Sequence, residues 1–240
     1  MIVEICANSY ASAYNAEKAG AHRIELCSEL AVGGITPSFG LLKQVVENLK
    51  IPVFVLIRPR SGNFTYSDVE FDIMKKDIAL SKELGCQGIV SGVLNLDHTI
   101  DVTRTKELIE CAKPLSFVYH RAFDWVPDVF KALQDLIDIG VHRVLTSGQK
   151  MSALTGLEIL KKLKNYAKDD ISILPGGGIT IENAIKFKQA GFNEIHCSLT
   201  EFKSSKYSSK IKMNSDTHFD ETRLGISDLN KIEALLKLIS

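Results

Sequence analysis

A glycine followed four residues later by a branched apolar residue recurs at four places along the chain. The four pairs are Gly20 and Ile24, Gly85 and Ile89, Gly140 and Val144, and Gly191 and Ile195. Glycine tolerates the left-handed backbone conformation that ends a helix, and a branched apolar residue favours a strand. Each copy therefore predicts the end of a helix and the start of a strand. The residues between successive copies leave room for one more strand with its helices.

The complete pattern of apolar segments predicts eight strands that alternate with eight helices. The predicted strands are 2–6, 23–27, 53–57, 88–92, 116–120, 143–146, 172–175 and 194–198. The predicted helices are 9–19, 39–49, 68–84, 100–112, 126–139, 152–167, 181–190 and 227–239. This order favours an α/β fold, a single (βα)8 TIM-type barrel over 1–240. An open doubly wound sheet is disfavoured, because the first turn, at 6–9, lacks glycine.

Length, charge and cysteine content restrict the functions that the chain can have. It has 240 residues with 29 basic and 29 acidic side chains, so no net charge draws it to nucleic acid or to a membrane surface. No apolar run is long enough to cross a bilayer, and no leader peptide is expected. Five cysteines are too few and odd in number for a disulfide framework. We therefore expect a cytoplasmic protein with reduced thiols.

Strand alternation predicts which side chains point into the barrel. Alternation turns Glu4 and Cys6 inward on the first strand. On the second and eighth strands it turns inward Arg23, Glu25, Cys27, Glu194, His196 and Ser198. Inward charges are costly unless they are paired, so they form either a buried ion cluster that braces the barrel or a functional site.

Cys6 and Cys27 end neighbouring strands, and both are predicted to face the lumen. Two thiolates within reach of one another form a soft site of low coordination number, which favours Cu(I). Zinc would usually require four ligands, and no second cysteine pair supplies them. The alternative is that both side chains are small apolar fillers in a packed barrel.

Charged side chains follow the third and fifth strands at the catalytic rim of the predicted barrel. His120, Arg121 and Asp124 can bind an anion and move a proton. Arg58 and Arg60 add two guanidinium groups that suit a carboxylate or a phosphate, or else form salt bridges to Glu25 or Asp124.

Small residues follow the sixth and seventh strands. Ser147, Gly148, Gly177 and Gly178 lie in turns that expose backbone amides, which often bind phosphate at this end of a barrel. Tight turns without a ligand use the same residues. The long segments 58–67 and 199–227 are expected to be loops, and the second is either a surface loop or a lid over the mouth.

Several of these motifs together resemble the CutC family, usually called copper homeostasis proteins. The matching segments include 4–6, 20–27, 33–38, 57–60, 120–124, 145–148, 175–179 and 196–198. The resemblance implies a (βα)8 barrel, a cytoplasmic location and a homo-oligomer, a dimer or a tetramer. It also implies copper handling, with Cu(I) bound by two cysteines that fall on Cys6 and Cys27.

Two functional hypotheses follow from the sequence. In the first, the chain binds one Cu(I) through Cys6 and Cys27. In the second, it is a barrel enzyme acting on a phosphorylated or carboxylated small metabolite. There the anion would be held by Arg58, Arg60, Arg121, Ser147, Gly148, Gly177 and Gly178. Glu25, His120 or Asp124 would transfer the proton.

Overall fold

The computed structural model describes residues 1–204, 211, 220 and 222–240. Within these residues eight parallel strands form one sheet. They are β1 (Ile2–Ala7), β2 (Arg23–Leu26), β3 (Val53–Leu56), β4 (Gly88–Ser91), β5 (Ser116–Tyr119), β6 (Arg143–Thr146), β7 (Ser172–Pro175) and β8 (Glu194–Cys197). β1 pairs with both β2 and β8, and a parallel bridge between Gly176 and His196 brings the last two strands together. The sheet is therefore a nearly closed barrel, as the sequence predicts.

Eight helices surround the barrel in the described part of the chain. They are α1 (Tyr10–Lys18), α2 (Phe39–Asn48), α3 (Asp68–Glu83), α4 (Val102–Ala112), α5 (Val129–Asp138), α6 (Leu157–Ala167), α7 (Ile181–Gln189) and α8 (Leu229–Ile239). Two predicted helix starts are wrong. α5 begins at Val129 and not at 126, because Asp128 caps the helix there, and α6 begins at Leu157 and not at 152, because a bend and turns occupy 152–156. Among these helices, none combines the length and the apolar character that crossing a membrane requires.

The repeated glycines end helices as predicted. Gly20, Gly85, Gly140 and Gly191 all have positive φ, between +77° and +89°. Each follows one of the helices α1, α3, α5 and α7, and the next strand begins within three residues. A residue with a Cβ atom would be strained in this left-handed conformation. The sequence pattern therefore corresponds directly to the helix-to-strand turns that build the barrel.

Side chains alternate between two apolar layers, as predicted. Val3 and Ile5 of β1, and Ile24 and Leu26 of β2, lie in the large core between the strands and the helices. A smaller cluster fills the barrel interior and consists of Cys6, Cys27, Phe54, Leu56, Val90, Val118, Leu145 and Leu174. Both cysteines therefore lie inside the barrel and not among the outer helices.

The segment after β8 is partly a hairpin. Antiparallel strands β9 (Thr200–Ser204) and β10 (Arg223–Ser227) pair with each other, so the prediction of a loop over 199–227 is wrong at both ends. Ser227 anchors the hairpin: its amide donates to Ser12 Oγ at 3.1 Å and its hydroxyl donates to the Cys6 carbonyl at 3.4 Å. Residues 205–210, 212–219 and 221 lie outside the described part of the chain, and so does most of the predicted lid.

Candidate metal centre and barrel mouth

The thiols of Cys6 and Cys27 lie beside each other in the upper barrel. The parallel register sets Cys6 opposite Glu25, and Cys27 follows β2 by one residue. Their sulfur atoms are 3.7 Å apart, and the Cys6 sulfur lies 3.9 Å from Glu25 Oε1. The contact with Cys27, burial, and the Glu25 and Glu4 charges raise the pKa of Cys6 well above its usual value. Without a metal, the Cys6 thiol is therefore neutral at physiological pH.

A loop between β2 and α2 covers Cys27, which is fully buried, whereas Cys6 is 6% exposed. Gly34 of this loop has φ +85°, and a Cβ atom there would lie 3.5 Å from the Cys27 sulfur and 2.7 Å from Leu56 Cδ2. Arg58 donates from Nη1 to the carbonyls of Val32 and Gly34, both at 2.8 Å. Arg58 thus holds the loop against Cys27.

Glu25 and Glu4 are buried carboxyl groups with opposite pKa shifts. Burial and repulsion by Glu4 raise the pKa of Glu25 to about 7, against the opposing effects of His196 and Arg23. Burial also disfavours the Glu4 carboxylate, but hydrogen bonds and charges from His196 and Arg23 outweigh it and hold its pKa at about 2. Glu25 Oε2 is buried and has no hydrogen-bond partner. Of the two carboxyl groups, Glu25 is therefore the one with an oxygen that forms no hydrogen bond.

His196 lies between these two carboxyl groups. Its Nδ1 is 2.7 Å from Glu4 Oε1 and 3.9 Å from Glu25 Oε2. Burial lowers the pKa of His196, but the charges of Glu25 and Glu4 outweigh that and raise it. The sequence predicts that His196 points inward, yet it assigns this residue no role. One sulfur of Cys6, one oxygen of Glu25 and one nitrogen of His196 all lie within 4.8 Å of one another.

An ion cluster lies below this layer, at the amino ends of the strands. Arg23 bonds to Glu4 and, at 2.6 Å, to Glu194, and Arg143 reaches Glu194 at 3.0 Å. The Phe54 ring contacts both guanidinium groups, with 5.3 Å and 5.5 Å between Cζ and the ring centroid. The sequence predicts that Glu4, Arg23 and Glu194 point inward, whereas it does not single out Arg143. The cluster braces the barrel and holds Glu4 against His196.

The guanidinium groups of Arg58 and Arg60 are both bonded to carbonyl groups of loops. Besides the two carbonyls already named, Arg58 bonds Gly62 at 2.9 Å and stacks on Phe64. Arg60 pairs with Glu70 and donates to the carbonyls of 61, 63 and 65. Neither forms the suggested salt bridge to Glu25 or Asp124. Their assignment as anion-binding residues stays a prediction, which these contacts disfavour.

His120 is a buried, neutral imidazole near the mouth. Its Nδ1 accepts from the Ala122 amide at 3.2 Å, and its buried Nε2 has no hydrogen-bond partner. Burial and the nearby Arg58 charge lower the pKa of His120 to about 3. Its ring packs 4.9 Å from Phe64, which in turn contacts the half-exposed Trp125. Aromatic contacts therefore connect His120 to the protein surface.

Asp124 organises the turn after β6. It accepts hydrogen bonds from the Thr146 hydroxyl at 2.5 Å and from the amides of Ser147 and Gln149 at 3.0 Å and 3.1 Å. Arg121 pairs with it at 2.8 Å. Proton transfer by Asp124 stays a prediction, and these bonds make Asp124 an anchor for this turn.

The structure brings several predicted anion-binding residues together. Arg121 Nη2 donates to Ser147 Oγ at 2.9 Å. A Cβ atom at Gly177 would lie 3.3 Å from Arg121 Nη1, so the turn after β7 runs directly beside this guanidinium. Gly148 and Gly178 both have positive φ, near +68° and +69°. Their assignment as anion-binding residues remains a prediction.

Comparison with known proteins identifies the family. The model of the CutC family matches residues 1–201, most of the chain. The human copper homeostasis protein cutC homolog is 44% identical over 238 residues, which cover 98% of this chain and 87% of that protein. The mouse homolog is equally similar. The chain belongs to the CutC family.

Solved structures agree with this assignment. The crystal structure of CutC from Streptococcus agalactiae superimposes with a TM-score of 0.78 at 35% identity and covers 82% of this chain and 98% of that one. A thiamine phosphate pyrophosphorylase from Pyrococcus furiosus, at 14% identity, has a TM-score of 0.61 and covers 99% and 95% of the two chains. At such low identity the second likeness shows the barrel fold alone.

Proposed function

We propose that this chain is a cytoplasmic copper homeostasis protein of the CutC type that binds one Cu(I) through Cys6 and Cys27. The observation that carries the proposal is the 3.7 Å separation of the two sulfur atoms inside the barrel. The names of the human and mouse relatives point to the same metal. Paired thiolates are the soft ligands that Cu(I) prefers.

The two sulfur atoms are close enough that one ion could be held by both of them. Glu25 borders the pair, 3.9 Å from the Cys6 sulfur. The carboxyl groups that raise the pKa of the Cys6 thiol also attract a cation. Binding releases the thiol proton, so the affinity for Cu(I) rises with pH.

Anaerobic Cu(I) titration against a chromophoric competitor tests this proposal. Cys6→Ser and Cys27→Ser should each weaken binding by at least tenfold. Cys86→Ser is the matched control, since Cys86 is also a buried free thiol but lies in the outer core. Equal affinity of the wild type and the Cys6→Ser, Cys27→Ser double variant would refute the site.

A second candidate function is catalysis on a phosphorylated or carboxylated small metabolite. It is favoured by the unpartnered His120 Nε2 and by the cluster of Arg121, Ser147 and Gly177 at the mouth. In it, Arg121 and the neighbouring amides would bind the anion, and His120 or Glu25 would transfer a proton.

Intrinsic fluorescence tests the second candidate directly. The chain has a single tryptophan, Trp125, which contacts Phe64 beside His120. A saturable change in its emission with phosphorylated or carboxylated metabolites, abolished by Arg121→Gln, would support the enzyme. A metabolite screen without such a change would count against it.

We also propose a homo-oligomer, a dimer or a tetramer, on the basis of family membership. Phe202 and Leu224 on the hairpin are more than half exposed and offer apolar surface. Light scattering after size-exclusion chromatography measures the mass, and a monomer at all concentrations would contradict this.

Five free cysteines fit a reducing cytoplasm, which cell fractionation tests.

A further inference from the structure

We propose that Cys6, Glu25 and His196 form a second metal site, which takes a borderline divalent cation such as Zn²⁺. Their donor atoms lie within 4.8 Å of one another. Cys6 is shared with the proposed copper pair, whereas Glu25 and His196 are not part of it. The site does not depend on copper binding. It differs from the cysteine pair in two of its ligands and in the class of ion that those ligands prefer.

A buried oxygen without a hydrogen-bond partner, Glu25 Oε2, lies at this site. Glu25 is only 5% exposed, and its Oε2 has no hydrogen-bond partner. The nearest basic group is His196 Nδ1 at 3.9 Å, which is too far for a hydrogen bond. A buried carboxyl oxygen without a partner costs free energy, and a bound cation would remove that cost.

The donor set suits zinc. One thiolate, one imidazole and one carboxylate are all ligands of Zn²⁺, with bond lengths of about 2.0–2.3 Å. Tetrahedral geometry would place the donors roughly 3.5 Å apart, so donors up to 4.8 Å apart need to approach each other by about 1.3 Å at most. Three protein ligands leave a fourth position for water or for an oxygen of a small molecule.

The barrel base holds the histidine in place. Glu4 bonds His196 Nδ1 at 2.7 Å and fixes the ring beside Glu25, so zinc would have to bind the remaining ring nitrogen, Nε2. Arg23 in turn holds Glu4. A carboxylate on the second nitrogen commonly fixes the ring of a metal-binding histidine. The ion cluster thus has a use beyond bracing the barrel.

Cys6 belongs to both sites, so the two ions compete for its sulfur. Among the described residues, the group of three donors within 4.8 Å contains Cys6 and not Cys27. Cu(I) held by Cys6 and Cys27 therefore removes the only sulfur of the second site. Zinc at the second site likewise removes one of the two thiolates from the copper pair.

The test compares the binding of two metals in three variants. Purified metal-free protein is titrated with Zn²⁺ against a chromophoric competitor and, separately, with Cu(I) under anaerobic conditions. His196→Asn should weaken Zn²⁺ binding at least tenfold and leave Cu(I) affinity within about threefold. Cys27→Ser should do the reverse, and Cys6→Ser should weaken both.

Co²⁺ serves as a spectroscopic probe for the same site. The wild type should show a thiolate-to-cobalt charge-transfer band that Cys6→Ser abolishes and Cys27→Ser keeps. Glu25→Gln, which keeps the side-chain shape, should weaken Zn²⁺ binding as well, and it replaces His196→Asn if that variant fails to fold. Wild-type Zn²⁺ affinity in a folded Glu25→Gln or His196→Asn variant would overturn the proposal. Failure of Cu(I) binding alone would refute the cysteine pair and leave this site intact.

Discussion

The sulfur atoms of Cys6 and Cys27 lie 3.7 Å apart, although Cys6 belongs to β1 and Cys27 directly follows β2. The parallel register of β1 and β2 produces this contact. It sets Cys6 opposite Glu25, and Cys27 lies two residues after Glu25 on the same face. Cys6 thereby contacts a thiol on one side and a carboxyl group on the other. This arrangement connects the fold to the proposed metal chemistry.

The two lumen thiols should be protected from modification in the folded, metal-free chain. Both are buried, and the pKa of Cys6 is raised, so little thiolate is available. We expect Cys6 and Cys27 to react with a disulfide reagent at least about 100-fold more slowly than in the unfolded chain. Mass spectrometry after timed labelling measures this. Cys111, which is less buried, is the internal reference; labelling of Cys6 as fast as Cys111 would contradict the prediction.

Gly34→Ala should disturb the cover over Cys27. The new Cβ would lie 2.7 Å from Leu56 and 3.5 Å from the Cys27 sulfur, at φ +85°. We expect weaker Cu(I) binding and a loss of roughly 2–4 kcal/mol in the free energy of unfolding. Gly20→Ala is the control, since Gly20 has the same φ but no atom within 4 Å. It should lose only about 1 kcal/mol and keep its copper affinity. Equal losses in the two variants would show that the contact is unimportant.

Arg23→Met should destabilise the barrel strongly. It leaves Glu4 and Glu194 buried with one cation fewer, and uncompensated buried charge of this kind costs about 3–5 kcal/mol. Lys131→Met removes an exposed partner of Asp135 and should lower the free energy of unfolding far less, because solvent screens this pair. Chemical denaturation of both variants measures the difference. Similar stabilities would mean that the cluster contributes little.

The free energy of unfolding should fall in acid because of His120. Its pKa is about 3 in the folded chain and near its ordinary 6.5 when unfolded, so the unfolded state takes up the proton first. Stability from this group is complete above pH 6.5 and declines as the pH falls towards 3. Between pH 6.5 and 5 the loss is about 2 kcal/mol.

His120→Asn isolates this contribution. Asparagine keeps an acceptor for the Ala122 amide but does not titrate in this range. The difference in unfolding free energy between wild type and variant should therefore shrink as the pH falls from 7 to 5. A difference that is independent of pH would mean that His120 is not buried in its neutral form.

The strands and their inward faces were predictable because they depend on local pattern. A strand buried on both sides is short and apolar, and alternation placed Cys6 and Cys27 in the lumen correctly. The helix ends were equally clear at Gly20 and Gly140, since glycine adopts their positive φ without strain.

The role of His196 was not predictable from local pattern. It depends on the pairing of the first and last strands, which brings His196 beside Glu4 across almost the whole chain. Arg58 illustrates the same limit, because its partners are carbonyls at 32, 34 and 62 whose positions follow from the loop path. Contacts made by loop backbone leave no signature in side-chain spacing.

X-ray absorption at the copper edge of the Cu(I)-loaded chain tests the central claim most directly. The proposed site predicts one copper per chain with two sulfur neighbours, and the loss of one of them in Cys27→Ser. Copper surrounded only by nitrogen and oxygen, or a spectrum unchanged by Cys27→Ser, would contradict binding by Cys6 and Cys27.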